Sequence, residues 1–122
     1  MGKKRKRLLF VEDHADTCEL VSFILRDYDV TTVQTKAEAV KTAGSGGFDL
    51  FLLDYYLPDG TGEELCKEIR IFDSRTPILF VTGSASFTER RSRSIGAQGT
   101  LKKANPMFLS ELRNRALELA PL

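Results

Sequence analysis

The sequence predicts a doubly wound α/β domain built on a five-stranded parallel sheet. Two observations carry that expectation. Residues 8–11, 30–33, 50–53 and 77–81 are short runs, almost wholly apolar or β-branched, as strands buried on both faces must be; residues 100–102 form a briefer one. Each run is followed by a helical pattern, and regular alternation of strand and helix marks a parallel sheet covered on both faces. With 122 residues, 42% of them hydrophobic, the chain is about one domain with enough apolar material for a core.

Lys3-Lys4-Arg5-Lys6-Arg7 is a basic leader, read as solvated because no aromatic side chains interrupt it. The domain proper is set at residues 8–122. Strand one, Leu8-Leu9-Phe10-Val11, ends in Glu12-Asp13. The helix after it carries Leu20, Val21, Ile24, Leu25 and Tyr28 on one face. Val30-Thr31-Thr32-Val33, β-branched throughout, is strand two. Thr35-x-x-Glu38 is a capping box opening a short helix that Gly44-Ser45-Gly46-Gly47 ends. Strand three, Leu50-Phe51-Leu52-Leu53, stops at Asp54. A Pro58-Asp59-Gly60 turn then leads to a second box, Thr61-x-x-Glu64, whose helix turns Leu65, Ile69 and Phe72 inward.

Strand four ends in Thr82-Gly83-Ser84. A third box, Ser86-x-x-Glu89, opens a short polar helix to about Ile95 with Arg90, Arg91 and Arg93. With few core anchors, this helix is expected to be the loosest element. Strand five follows Gly96-Ala97-Gln98-Gly99 and leads into Lys103. Asn105-Pro106 reads as an N-cap with proline at the first helical position, opening a last helix with Leu109, Leu112, Ala116 and Leu119 on one face. Right-handed crossovers favour the strand order 2-1-3-4-5, the flavodoxin-like (βα)5 arrangement, with strands one and three at the topological switch point.

A net charge of +1 singles out no partner class. No run approaches the ~20 apolar residues of a membrane span, and no signal peptide is expected. Cys18 and Cys66 have neither metal-site nor disulfide spacing; they read as buried structural thiols in a reducing cytoplasm.

The strand ends collect the chemistry. Glu12 and Asp13 follow strand one, Asp54 ends strand three, Thr82 ends strand four and Lys103 follows strand five, so all line one edge of the carboxyl face. Two unit charges ~4 Å apart cost about 4 kcal/mol at an effective dielectric of ~20, so clustered carboxylates require an offset. Hard oxygen ligands at that density suit Mg²⁺, with room left for a phosphoryl oxygen. A carboxylate nucleophile, a metal, a lysine and a hydroxyl are the parts of in-line phosphoryl transfer. His14 reads as a half-exposed residue at a helix start rather than as a ligand, and Tyr55 and Tyr56 as ordinary strand-end tyrosines.

Over residues 8–119 the sequence resembles a response-regulator receiver domain of two-component signalling, of the single-domain chemotaxis type. The matching motifs are Leu-Phe-Val-Glu12-Asp13, Leu-Leu-Asp54, Leu57-Pro58-Asp59-Gly60-Thr61-Gly62, Phe-Val-Thr82-Gly83, and Gly96-Ala97 ahead of Lys103. The resemblance implies that Asp54 accepts a phosphoryl group from a histidine kinase or phosphotransfer protein. It implies Mg²⁺ on Asp13, Asp54 and the backbone carbonyl of Tyr56, with Glu12 acting mainly through water. Thr82 and Lys103 would contact the phosphoryl group. The chain would not be a turnover enzyme: it would catalyse only its own phosphorylation and slow dephosphorylation. Output would pass through the face of helix four, strand five and helix five, with Thr100, Arg90, Arg91 and Arg93 meeting a downstream protein.

Three positions depart from the family pattern. Ala104 stands where proline usually follows the lysine. Thr100 stands where the strand-five switch aromatic is usual. Tyr56 is bulky at a position that tunes water access, and is expected to prolong the phosphorylated state. The first two support an alternative, a pseudo-receiver whose protein contacts do not depend on phosphorylation. An aspartyl-phosphate phosphatase would need a second Asp where Tyr56 stands. DNA binding through the arginines or the leader is thinly supported.

Overall fold

The computed structural model describes residues 5–122. Its elements are β1 (Arg7–Val11), α1 (Ala15–Ile24), β2 (Asp29–Val33), α2 (Lys36–Gly44), β3 (Leu50–Leu53), β4 (Tyr56–Leu57), β5 (Gly60–Thr61), α3 (Gly62–Phe72), β6 (Ile78–Thr82), α4 (Glu89–Ser94), β7 (Gly99–Lys102) and α5 (Phe108–Leu119). The main sheet runs β2-β1-β3-β6-β7, all parallel, which is the expected 2-1-3-4-5 order once its five strands are counted alone.

Alternation along the buried strands divides the core in two. Leu9, Val11, Phe51, Leu53 and Phe80 face α2 and α3, meeting Ala39, Ala43, Leu65 and Ile69. Leu8, Phe10, Leu50, Leu52, Leu79 and Val81 face α1 and α5, meeting Val21, Leu25, Leu112 and Ala116. Both faces of the sheet are covered at its centre, so β3 is apolar throughout and β1 and β6 are apolar but for one end residue each, while the edge strand β2, with Asp29, Thr31 and Thr32, is not fully buried.

Several local expectations are corrected. α1 stops at Ile24, and Leu20 lies on its exposed side, whereas Leu25 and Tyr28 are buried beyond the helix. Tyr28 Oη donates to the Ala120 carbonyl at 2.8 Å, tying that corner to the end of α5. Phe72, the last residue of α3, is 48% exposed rather than turned inward. The box at Thr35 is half formed: Thr35 Oγ1 accepts from Glu38 N, but Glu38 turns to the Thr35 hydroxyl rather than its backbone. The box at Thr61 and Glu64 is complete. Ser86 caps nothing; α4 starts later on Thr88, because Phe87 is drawn into the core between them. α5 starts at Phe108, with Met107 at its N-cap, so Asn105 and Pro106 lie in the preceding turn. There Asn105 Oδ1 accepts from Met107 N at 2.8 Å.

The leader is only partly a solvated segment. Lys3 and Lys4 lie outside the described residues. Arg5 donates to the carbonyls of Arg26, Asp27 and Tyr28 after α1, and Arg7 already belongs to β1. The short antiparallel pair β4 and β5, in the loop before α3, was not foreseen.

Candidate functional site

Glu12, Asp54 and Lys103 are placed by backbone bonds that extend the sheet beyond its strands. Glu12 N donates to Val33 O at 3.0 Å, Asp54 N to Val11 O at 3.0 Å, and Lys103 N to Thr82 O at 2.9 Å. The three side chains meet. Lys103 Nζ forms a tight ion pair with Glu12 Oε1 and stands 3.4 Å from Asp54 Oδ2. Asp54 Oδ1 accepts from Tyr55 N at 2.8 Å. Glu12 is fully buried and Asp54 nearly so. Asp54 borders a cavity of about 330 Å³ lined also by Asp13, His14, Tyr56, Gly83 and Lys103.

Burial, reinforced by the charge of Glu12, pushes the Asp54 carboxyl up to about 6. Burial pushes Glu12 the same way, but the bond and charge of Lys103 outweigh it and hold Glu12 below the usual carboxylate range. Two buried carboxylates, Glu12 and Asp54, thus share one lysine, with the carboxylate of Asp13 close by on the cavity wall. Such an oxygen-rich, under-compensated pocket fits a hard divalent cation.

Thr82 closes β6 and is fully buried; its hydroxyl accepts from Ser84 N at 3.0 Å. It does not line the cavity, but its own proton has no assigned acceptor among the described residues. Tyr56 is 61% exposed at the cavity rim and packs edge-to-face on Tyr55, with ring centroids 5.0 Å apart. His14 is more exposed than expected, yet its Nδ1 lies 3.2 Å from Glu12 Oε2 and 3.3 Å from Asp13 Oδ1.

The two neighbouring lysines have separate tasks. Lys103 reaches the carboxylates. Lys102 points to the β6–α4 loop, where its Nζ donates to the Ser84 carbonyl at 2.5 Å and to that of Phe87. Phe87 is buried, its ring 4.6 Å from Phe80 and 4.8 Å from Tyr55. The loop beside Thr82 is therefore held by an aromatic plug and a lysine, neither of which periodicity reveals. Lys102→Ala should cost about 1 kcal/mol, the typical worth of such bonds. It should also speed amide hydrogen exchange across residues 83–88. Unchanged exchange there would mean that Phe87 alone holds the loop.

The expected contact face needs correcting. Thr100 is buried, and its hydroxyl has no partner among the described residues, so it is not a surface contact. Arg91 is turned to α3, its Nε 3.0 Å from Glu63 Oε1, and Arg93 pairs with Glu89 on its own helix. Arg90, Arg91 and Arg93 all remain exposed on α4.

Two contributors escaped the sequence reading. Asp59 accepts from Lys36 N at 2.7 Å and Ala37 N at 3.0 Å, so the loop after Asp54 caps α2. Gly62 packs so closely on the Asp54 carbonyl that a Cβ there would lie 2.1 Å from the oxygen. Gly62 sits two residues past the Asp-Gly turn, but only the coordinates show what it faces.

Known proteins resemble this chain in sequence and in fold. The family model of the response regulator receiver domain matches residues 8–116. The transcriptional regulatory protein CiaR of Streptococcus pneumoniae is 35% identical over 111 residues, covering 89% of this chain and 49% of CiaR. The transcription factor prr1 of Schizosaccharomyces pombe is 35% identical over 73% of this chain, which is 17% of prr1. The chain thus spans half or less of the length of these relatives. Among solved structures, the non-phosphorylated HemR receiver domain of Leptospira biflexa superposes with a TM-score of 0.85 at 33% identity, covering 97% of this chain and 96% of that one. The chemotaxis response regulator CheY4 of Vibrio cholerae gives 0.81 at 32% identity, covering 93% and 100%. A match over nearly the whole chain, on a sheet of this order with Asp54 at the end of its central strand, means that the protein belongs to the response regulator receiver domains of two-component systems.

Proposed function

We propose that Asp54 is a phosphoryl acceptor and that the domain is a phosphorylation-dependent signalling switch. The observation that carries this reading is Asp54 at the end of the central strand, buried, with Lys103 Nζ 3.4 Å from its Oδ2. An Asp54 oxygen forms the new O–P bond as the P–N bond of a donor phosphohistidine breaks, and the electron pair leaves with the imidazole. Lys103 shifts from the carboxylates toward the phosphoryl oxygens, and Thr82 donates its free hydroxyl proton to one of them. Asp13, Asp54 and the Tyr56 carbonyl would hold Mg²⁺, with Glu12 acting through water; the ion would supply charge neutralisation and orientation. Tyr56, at the rim, would hinder an attacking water.

The donor would be a histidine kinase or phosphotransfer protein. The domain would be a self-modifying acceptor rather than a turnover enzyme. Added phosphoryl charge of about −1.5 to −2 beside the Thr82 loop would bias that loop and α4, where Arg90, Arg91 and Arg93 would face a downstream protein. The free thiols of Cys18 and Cys66 suit a reducing compartment such as the cytoplasm. Among the described residues no helix is long and apolar enough to cross a membrane.

Intact mass after incubation with acetyl phosphate tests the chemistry. One phosphoryl group should be gained with Mg²⁺, and none without it or in Asp54→Ala. No gain under any condition would instead support a constitutive interaction module.

A further inference from the structure

The pocket contains an imidazole that this reading leaves unused. His14 is the N-cap of α1, yet its side chain makes no capping bond. The ring turns to the acidic pair, with Nδ1 3.2 Å from Glu12 Oε2 and 3.3 Å from Asp13 Oδ1. Glu12, Asp13 and His14 each bring one ligand atom within 4.8 Å of the others. Neighbouring ligands on an octahedral ion with bonds near 2.1 Å lie about 3 Å apart, so the spacing of His14 Nδ1 and Asp13 Oδ1 is that of two ligands of one ion.

Glu12 is already engaged on both oxygens. Oε1 is held by Lys103, while Oε2 accepts from Asp13 N at 3.1 Å and faces His14 N at 3.4 Å. In the metal-free protein Oε2 accepts from a protonated Nδ1, a proton that metal binding would displace, and its remaining contacts hold the backbone beneath the ring. Asp13, by contrast, is exposed and borders the cavity together with His14 and Asp54. The donor set of the pocket is therefore mixed nitrogen and oxygen. Oxygen-only sets suit Mg²⁺, whereas an imidazole adds affinity for first-row transition ions.

We propose that His14 is a metal ligand, and that through His14 Nδ1 and Asp13 Oδ1 the pocket binds ions of the Zn²⁺ and Ni²⁺ class by a contact that Mg²⁺ does not use. This rests on the reading of the acidic pocket as a cation site. It does not depend on phosphoryl transfer.

The test is metal titration of the full chain, wild type against His14→Ala and His14→Phe, followed by calorimetry for Mg²⁺, Zn²⁺ and Ni²⁺. His14 is exposed, so both variants should fold. Losing the ligand should weaken Zn²⁺ and Ni²⁺ binding at least about tenfold and leave Mg²⁺ binding within about threefold. In wild type, the ¹⁵N resonance of Nδ1, not of Nε2, should move when Zn²⁺ is added. Equal losses for all three ions, no loss at all, or a shift confined to Nε2 would overturn the proposal and leave His14 as a hydrogen-bond partner of Glu12. Failure of Mg²⁺ to bind wild type would sink the Mg²⁺ reading, while His14-dependent Zn²⁺ binding would still stand on its own.

Discussion

Asp54→Asn is expected to stabilise the metal-free protein at pH 7 by on the order of 2 kcal/mol, roughly 6–10 °C in Tm, while abolishing phosphoryl uptake. The carboxyl is nearly buried beside Glu12 and holds its proton up to about 6, against an ordinary value of 3.8. Below pH 3.8 it is protonated in both the folded and unfolded chain, so wild type and variant should be alike. Between pH 3.8 and 6 the unfolded chain has released the proton and the folded chain has not. The folded state then binds more protons, and its stability falls as pH rises through that window. Above pH 6 the penalty is constant. Each pKa unit is worth about 1.4 kcal/mol, and the loss of Lys103's second partner offsets part of the gain in the variant. The advantage of Asp54→Asn in urea melts should be small at pH 4 and full at pH 7. Saturating Mg²⁺ should narrow it by stabilising wild type selectively. An advantage that is already full at pH 4 would point to packing instead of charge.

The same imbalance explains why the site was legible in the sequence. Two adjacent acids after one strand, an acid after the next and a lysine after the last are unremarkable singly. Parallel order forces their side chains to one edge, and the coincidence survives errors of a residue or two in any strand. The order itself followed from continuously apolar strands and right-handed connections. Shorter-range features were less legible. Leu20 and Phe72 fit a helical stripe, but whether a stripe's last member is covered depends on where the helix ends and the sheet stops. Asn105-Pro106 carries an N-cap signature, yet Asn105 spends its side chain on a tighter turn that delays α5 to Phe108. Ser86 lost its helix to Thr88 because Phe87 packs on Tyr55 and Phe80. Each miss is a tertiary contact overriding a local preference. Lys102 and Lys103 show the limit most directly: adjacent and chemically identical, they point to different groups because strand pleat alternates.

Gly62→Ala is expected to be the most damaging single-methyl change in the domain. Gly62 opens α3, is buried, and donates its N–H to Tyr55 O at 2.6 Å. Its φ is not in the left-handed region, so the restriction is one of space and not of torsion. An added Cβ would lie 2.1 Å from the Asp54 carbonyl oxygen and 2.9 Å from the Phe80 ring. The first of these is backbone at a strand end and cannot rotate away. Either α3 retreats from the sheet or the Asp54 peptide shifts. Overpacking of this kind costs roughly 1–3 kcal/mol where side chains can adjust, and the rigid neighbour places this case at the upper end, about 3 kcal/mol. Helix propensity works the other way by under about 1 kcal/mol and does not rescue it. Gly44→Ala is the control: it also lies in a helix, α2, with nothing within 4 Å of an added Cβ, and should be neutral or slightly stabilising. Urea melts of the two variants should therefore diverge in sign. Because the displaced atom belongs to the acceptor residue, phosphoryl uptake by whatever Gly62→Ala remains folded should also slow. A Gly62→Ala protein within 1 kcal/mol of wild type would mean that α3 can recede at little cost, and that the close approach to Asp54 is not what requires glycine at the head of this helix.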